Sequence, residues 1–196
     1  MASKIPAIII AAGESRRLGR AKAFVEVAGK SLLQHALEKV TLAKCEPIIV
    51  VTNQENLFNI TLQSKDATVV LNSTPELGRT GSIQVGLKSI ISDIGRVPDR
   101  IIFIPVDRPG WKSKSIAELV ESNTSASLSK NGAKGHPVSI VGEDLHAVIG
   151  ANKDTPLRDL ISFNSVETDE LLPHLNIDTE SDVQELLNNE DFFEAL

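Results

Sequence analysis

Four short aliphatic runs, each followed by a segment of helical spacing, constrain the fold of this chain more than any other feature. Ala7-Ile8-Ile9-Ile10, Pro47-Ile48-Ile49-Val50-Val51, Ala67-Thr68-Val69-Val70-Leu71 and Arg100-Ile101-Ile102-Phe103-Ile104-Pro105 are continuous rather than alternating. Continuous runs mark strands buried on both faces, the habit of a parallel sheet covered by helices. Between them lie helical patterns. Residues 31–40 place Leu32, Leu33, Ala36, Leu37 and Val40 at helical spacing behind Ser31, an expected N-cap. Residues 55–62, 81–91 and 113–121 read as further helices. This alternation predicts an α/β fold with a mostly parallel sheet between two helical layers.

In such sheets ligands bind beyond the carboxyl ends of the strands. That rule points to residues 11–22, 52–56, 72–82 and 106–111, each directly after a strand. The last third is less regular. Residues 123–137 suggest a strand-loop-strand excursion, and 155–163 and 179–188 suggest helices. A length of 196 residues with 41% hydrophobic and only 4% aromatic content suits one domain, 1–196, with an aliphatic core. A net charge of −6 argues against a broad grip on nucleic acid. The single cysteine, Cys45, excludes an intramolecular disulfide and fits a reducing compartment. The apolar stretch 5–12 is too short to span a bilayer, so the expectation is a cytoplasmic protein with no membrane partner.

The segment after the first strand is the most informative. It reads Ala11-Ala12-Gly13-Glu14-Ser15-Arg16-Arg17-Leu18-Gly19-Arg20-Ala21-Lys22. Three small residues continue the strand and allow a ligand close to the backbone. Gly13 and Gly19 permit tight turns. Exposed N–H groups in such a loop form an anion-binding concavity, and three arginines and a lysine supply matching charge. A glycine turn decorated with solvated charges is the plainer alternative, but a structural turn has no need of three small residues. Two other phosphate loops are excluded. The dinucleotide fingerprint fails at Glu14-Ser15, and the end of the second strand, Val51-Thr52-Asn53, lacks the acidic ribose ligand. Gly29-Lys30-Ser31 ends like a P-loop, but Phe24 stands at the first glycine position, so these residues read as a turn and a helix cap.

With these residues in view, the chain resembles the molybdenum-cofactor nucleotidyltransferase-like family and its opening signature A-A-G-x-S-x-R-[ML]-G-x-x-K. Further colinear matches follow: Gly29-Lys30-Ser31-Leu32-Leu33-Gln34-His35; Asn72 with Gly78-Arg79-Thr80-Gly81-Ser82-Ile83; Ile104-Pro105-Val106-Asp107-Arg108-Pro109; Gly135-His136-Pro137-Val138; and Asn176-Ile177-Asp178-Thr179-Glu180-Ser181-Asp182. Three departures stand out. Glu180-Ser181 replaces Pro-Glu, Gly81 stands where a serine is common, and residues 150–158 match the family's acceptor segment loosely.

The resemblance implies a single three-layer α/β/α domain of the nucleotide-diphospho-sugar transferase type. It implies Mg²⁺-dependent transfer of a nucleotide from an NTP, CTP favoured and GTP also compatible, to a phosphorylated small acceptor such as molybdopterin. By the same resemblance Lys22 and Arg17 bind the triphosphate, and Asp107 is a catalytic residue and the principal metal ligand. Asp178 is the candidate second ligand, sharing a side with Asn176 at a strand spacing of two; its alternative role is the cap of the following helix. The backbone of Ala11, Ala12 and Gly13 would contact the base or ribose, with Asn72, Gly78 and Ser82 completing the nucleotide pocket and Arg79 at its edge. His136 and Arg158 are the acceptor-side candidates. Arg158 has a competing i,i+4 pairing with Asp154. Trp111, Cys45 and His35 are expected to be structural, and Arg16 and Arg20 peripheral. Two other readings remain: an isoprenoid- or sugar-phosphate nucleotidyltransferase, and a non-catalytic protein that binds a nucleotide or delivers a cofactor to a receiving enzyme.

Overall fold

The computed structural model describes residues 4–13, 15 and 17–194. The elements in order are β1 (Ala7–Ala11), β2 (Glu26–Val27), β3 (Lys30–Ser31), α1 (Leu32–Leu42), β4 (Ile48–Thr52), α2 (Leu57–Gln63), β5 (Thr68–Leu71), α3 (Arg79–Ile94), β6 (Arg100–Pro105), α4 (Lys114–Glu121), β7 (Ala126–Lys130), β8 (Ala133–Val141), α5 (Glu143–Gly150), α6 (Leu157–Leu160), β9 (Asn164–Glu167), α7 (Glu180–Asn188) and α8 (Asp191–Glu194). Seven strands form one sheet in the order β5-β4-β1-β6-β8-β7-β9. The left half, through β6, is parallel, with Ala7–Ala11 registered on Ile48–Thr52 and Ala7–Ile10 on residues 102–105. β8 runs antiparallel to both β6 and β7, and β9 is parallel to β7, so the sheet is mixed on its right side.

Strand alternation divides the core in two. Ala7, Ile9 and Ala11 face the layer holding Leu33, Ala36 and Val40 of α1 with Ile116, Leu119, Val183 and Leu186. Ile8 faces the layer holding Ile83, Leu87 and Ile90 of α3 with Leu145 and Val148 of α5. Helix α3 comes very close to the sheet: a Cβ at Gly86 would lie 2.8 Å from Ile8 Cγ2.

The expected N-cap holds. Ser31 Oγ accepts from Gln34 N–H at 3.2 Å, and Gln34 Oε1 accepts from Ser31 N–H at 2.8 Å, a reciprocal capping box. Residues 28–31 form the turn and cap rather than a phosphate loop, with Ala28 and Gly29 at φ 49° and 71° in the β2–β3 hairpin.

Several boundaries differ from the sequence reading. The helix expected from residue 55 begins at Leu57, because Asn53 Oδ1 accepts from Asn56 N–H and holds 53–56 as a turn. The helix expected over 155–163 is one turn, Leu157–Leu160, because Ile161 turns extended and leads into β9. Helix α5 and strand β9 are additions that the sequence pattern does not announce. Among the described residues no helix is long and apolar enough to cross a membrane.

Candidate active site

Strand β1 lies between β4 and β6, so the crossovers leave it in opposite directions. The carboxyl ends of β1 and β6 therefore open a crevice, the place where open α/β sheets bind ligands. A cleft of about 320 Å³ lies there. Its walls are Ile10–Gly13, Ser15, Arg17, Lys22 and Ala23 from the end of β1 and the first loop, Pro75 and Gly78 in the turn before α3, Arg79 and Ser82 in its first turn, and Pro105–Asp107 and Asp178 opposite.

The first loop folds on itself. Ser15, at φ 52°, offers its carbonyl to Leu18 and Gly19 N–H at 3.1 and 3.0 Å, and its Oγ accepts from Lys22 N–H at 3.2 Å. This turn delivers Lys22 to the cleft floor. Glu14 and Arg16, the latter expected to be peripheral, lie outside the described residues.

Lys22 sits between two carboxylates. Its Nζ is 3.1 Å from Asp107 Oδ2 and 2.5 Å from Asp178 Oδ1. Asp178 Oδ2 also accepts from Asn176 Nδ2 at 2.7 Å and meets Arg17 at 3.0 Å. Partial burial disfavours the Asp178 anion, but hydrogen bonds from Lys22 and Asn176 and the charges of Lys22 and Arg17 outweigh it. Its carboxyl is held below the usual range.

Asp178 does not cap the next helix. Thr179 does, in a capping box with Asp182, whose carboxylate also accepts from Asp178 N–H at 2.9 Å. Backbone hydrogen bonding to Asp178 is the largest cause that holds the Asp182 carboxyl low. The Glu180 departure has a local partner: its carboxylate meets Arg20 at 3.1 and 3.2 Å and ties the first loop to α7.

Two hard carboxylate oxygens converging on one cation are the protein share of a Mg²⁺ or Mn²⁺ site, in which phosphate oxygens and water fill the remaining positions. Asp107 and Asp178 fit that share, and Asn176 orients the Asp178 carboxylate by donating to its Oδ2. Among the described residues there is no group of three or more His, Cys, Asp or Glu that could hold a metal ion.

Behind the cleft lies a polar chain. Asn72 Nδ2 donates to Ser82 Oγ at 3.0 Å, and Ser82 Oγ donates to the Gly78 carbonyl at 3.4 Å. Gly78 takes φ 107°, which a side chain would strain, and ends the turn before α3. Asn72 therefore supports the wall through Ser82 and is not part of the lining. Asn53, which lies in the 52–56 segment but had no assigned role, donates to the Ala12 carbonyl at 3.3 Å and fixes the loop from below. An Asn three residues before a second Asn, directly after a strand, was the available signal.

The acceptor candidates lie outside this lining. His136 stacks edge-on against Phe103 at 5.7 Å, and its Nδ1 has no hydrogen-bond partner among the described residues. Burial first, then the charges of Arg79 and Arg108, push its imidazole down to about 3, so the ring is neutral. Arg158 is 87% exposed and lies 3.8 Å from Asp159, which replaces the expected pairing with Asp154. The loose segment 150–158 is strapped to α3: Gly81 N–H donates to the Lys153 carbonyl at 3.0 Å and Thr80 Oγ1 to the Thr155 carbonyl at 2.6 Å. A Cβ on Gly81 would come within 3.1 Å of Lys153 Cβ, which ties the Gly81 departure to that strap.

Three residues expected to be structural are so placed. His35 Nε2 lies 2.8 Å from the Val27 carbonyl, Trp111 is 1% exposed behind the Asp107 turn, and burial pushes the Cys45 thiol up to about 12.

Residues 7–170 match the model of the MobA-like NTP transferase domain. The chain belongs to the MobA-like NTP transferase family. Its sheet and helical layers are those of the nucleotide-diphospho-sugar transferase fold. It is 35% identical over 103 residues to a molybdenum cofactor guanylyltransferase of Syntrophotalea carbinolica, a match covering 53% of this chain and 44% of that protein's length. It is 25% identical to a molybdenum cofactor guanylyltransferase of Rhizobium johnstonii over 99% of this chain and 95% of that one. A Mycobacterium tuberculosis protein solved in complex with manganese is similar in structure, with a TM-score of 0.76 at 15% identity, covering 95% of this chain and 99% of that one.

Proposed function

We propose that this MobA-like protein transfers a nucleotide from GTP to the phosphate of molybdopterin and releases pyrophosphate. The observation that carries the reading is the convergence of Lys22, Asp107 and Asp178 at the mouth of the first loop. The names of the two curated relatives support the choice of nucleotide and acceptor. A second reading, CTP as donor, is favoured by the Ala11-Ala12-Gly13 opening and by Gly135-His136-Pro137-Val138.

In the proposed reaction an acceptor phosphate oxygen attacks the α-phosphorus in line. The bond from the α-phosphorus to the bridging oxygen of the β-phosphate breaks, pyrophosphate leaves with that electron pair, and a new pyrophosphate linkage joins acceptor and nucleoside. Such a transfer asks the protein for positioning and charge neutralisation. Asp107 and Asp178 would hold Mg²⁺ or Mn²⁺, which supplies charge neutralisation at the phosphate oxygens when bound.

The remaining work falls to the chain. Lys22, beside the two carboxylates at the cleft floor, would place its charge on the α-phosphate and the leaving pyrophosphate. Arg17 supports the triphosphate from the open side. The backbone of Ala11, Ala12 and Gly13 meets the nucleoside, and Gly78 and Ser82, backed by Asn72, close the far wall. His136, with its unpartnered Nδ1 near Arg79 and Arg108, is the acceptor contact we favour over the exposed Arg158. The product of this reaction would be a nucleotide-linked cofactor for a receiving enzyme, and the expected place of the reaction is the cytoplasm.

The test is pyrophosphate release with Mg²⁺ or Mn²⁺, molybdopterin and each of the four NTPs. The expected result is release with GTP that Asp107→Ala abolishes. Release with CTP alone would establish the second reading. Binding of NTP and metal without release from any donor would overturn both and favour a cofactor-delivery protein.

A further inference from the structure

Lys39 has no place in the chemistry above, yet its position is unusual. It projects from α1 into the aliphatic layer and is 3% exposed. Among the described residues its partners are a carbonyl and three aromatic rings rather than a carboxylate. Nζ donates to the Pro109 carbonyl at 3.0 Å and lies 4.9 Å from the Phe193 ring centre, 5.1 Å from Trp111 and 5.9 Å from Phe192. Burying an ammonium without a counter-ion is unfavourable, and rings and a carbonyl offset only part of it. A methionine would fill the same layer without that penalty. What the lysine adds is a directed hydrogen bond.

The bond goes to the turn that carries Asp107. That turn is tied on its other carbonyls by the segment leading to Asp178: Ile177 N–H donates to the Asp107 carbonyl at 2.9 Å, and Leu172 N–H to the Gly110 carbonyl at 2.7 Å. Among the described residues, Pro109 O also receives Trp111 N–H, at 2.8 Å, from within the turn. Lys39 is thus the tether that joins the turn to α1. The C-terminal α8 closes over it. Phe193 packs edge-on against His35 at 5.2 Å and against Phe192 at 5.4 Å, and the Phe192 carbonyl accepts from Lys112.

We propose that Lys39 is a positioning residue for Asp107: through the Pro109 carbonyl, and held beneath the aromatic pair of α8, it fixes the turn that presents this carboxylate to the cleft. The inference rests on Asp107 being the metal ligand of the proposed reaction. The C-terminal Phe192-Phe193 pair becomes part of the site's support by the same argument.

The test uses Lys39→Met in the full chain, which keeps the volume and removes the donor. The readouts are Mn²⁺ affinity in the presence of GTP by electron paramagnetic resonance, thermal unfolding, and turnover with molybdopterin. Loss of a group that orients a ligand costs about tenfold or more in metal affinity or activity. The expected result is Mn²⁺ binding about tenfold weaker and kcat about tenfold lower, with KM for GTP unchanged and thermal stability equal or higher. A folded Lys39→Met protein with native Mn²⁺ affinity and kcat overturns the proposal, as does a loss of stability with no change in either. Should that variant fail to fold, Phe193→Leu decides. It removes one ring from the ammonium, so Mn²⁺ binding should weaken roughly twofold to fivefold, and no change overturns the proposal. Wild-type protein that binds Mn²⁺ but releases no pyrophosphate sinks the transferase reading, while the Mn²⁺ comparison still decides Lys39.

Discussion

Replacing Lys22 by Met should have opposite effects on metal binding and on catalysis. In the ligand-free protein its ammonium is the counter-charge for two carboxylates, at 3.1 and 2.5 Å. The three side chains are 14, 19 and 20% exposed, enough burial for the charges to matter. A hydrogen bond to a charged group contributes about 1.5–3 kcal/mol. Desolvation of the lysine reduces the sum of two, and loss of about 3 kcal/mol is the central expectation. For a chain of this size that is roughly 6–12 °C in Tm.

The pH dependence has a definite sign. The Asp178 carboxyl is depressed in the folded protein, so its contribution is present above the ordinary value of 3.8 and is lost as pH falls through the folded value. The gap between wild type and Lys22→Met should therefore be full at neutral pH and shrink below about pH 4. Mn²⁺ should stabilise the variant more than the wild type, because the cation no longer competes with the lysine. Turnover should nevertheless fall about 10²–10³-fold, the usual result of removing one group that stabilises transition-state charge. The assay is thermal unfolding with and without Mn²⁺, beside pyrophosphate release. Equal Tm values without metal, or weaker Mn²⁺ binding by the variant, would refute the reasoning.

Gly86→Ala should destabilise by about 1–3 kcal/mol, because the new methyl would lie 2.8 Å from a fully buried Ile8 and force α3 away from the sheet; chemical denaturation reads this directly. Glu180→Pro restores the residue type usual in the family and removes only the exposed pair with Arg20. Such pairs contribute under about 1 kcal/mol and proline suits the first helical position, so Tm should change by no more than a few degrees. Lys39 gives a stability slope of the same sense as the depressed Asp178 carboxyl, but in the neutral-to-alkaline range. Burial, with Lys112 adding and Glu38 opposing, pushes its ammonium down to about 7, against 10.5 in the unfolded chain. Between those values the unfolded state binds more protons, so wild-type stability should rise with pH by up to a few kcal/mol. Urea midpoints at neutral and alkaline pH should show that rise in wild type and lose it in Lys39→Met, and parallel curves would refute it.

The parts of this molecule written locally were legible. β1, β4, β5 and β6 follow from unbroken aliphatic runs, and the α1 cap from Ser31 and Gln34. Lys22, Asp107 and Asp178 are chemical types in a recognisable order along the chain, with Asp107 directly after β6. What escaped depends on distant partners. β9 is a polar stretch, Asn164–Glu167, made a strand only by pairing with β7. The 150–158 strap owes its path to Thr80 and Gly81 on α3. Asn53 acts through the Ala12 carbonyl, 41 positions away in sequence. Lys39 is the instructive miss. A lysine in a helix reads as solvated, yet residue 39 falls between Ala36 and Val40 on the apolar stripe, and its three rings arrive from residues 111, 192 and 193.

The central claim is that a nucleotide is moved onto the acceptor, and labelled transfer tests it most directly. GTP or CTP carrying an isotope in the α-phosphate is incubated with the protein, Mg²⁺ and molybdopterin, and the acceptor is separated and analysed by mass and label. The account predicts label in the acceptor, an added nucleoside monophosphate mass, equimolar pyrophosphate, and none of these with Asp107→Ala. Nucleotide and metal bound at the cleft with no label ever reaching an acceptor would contradict it.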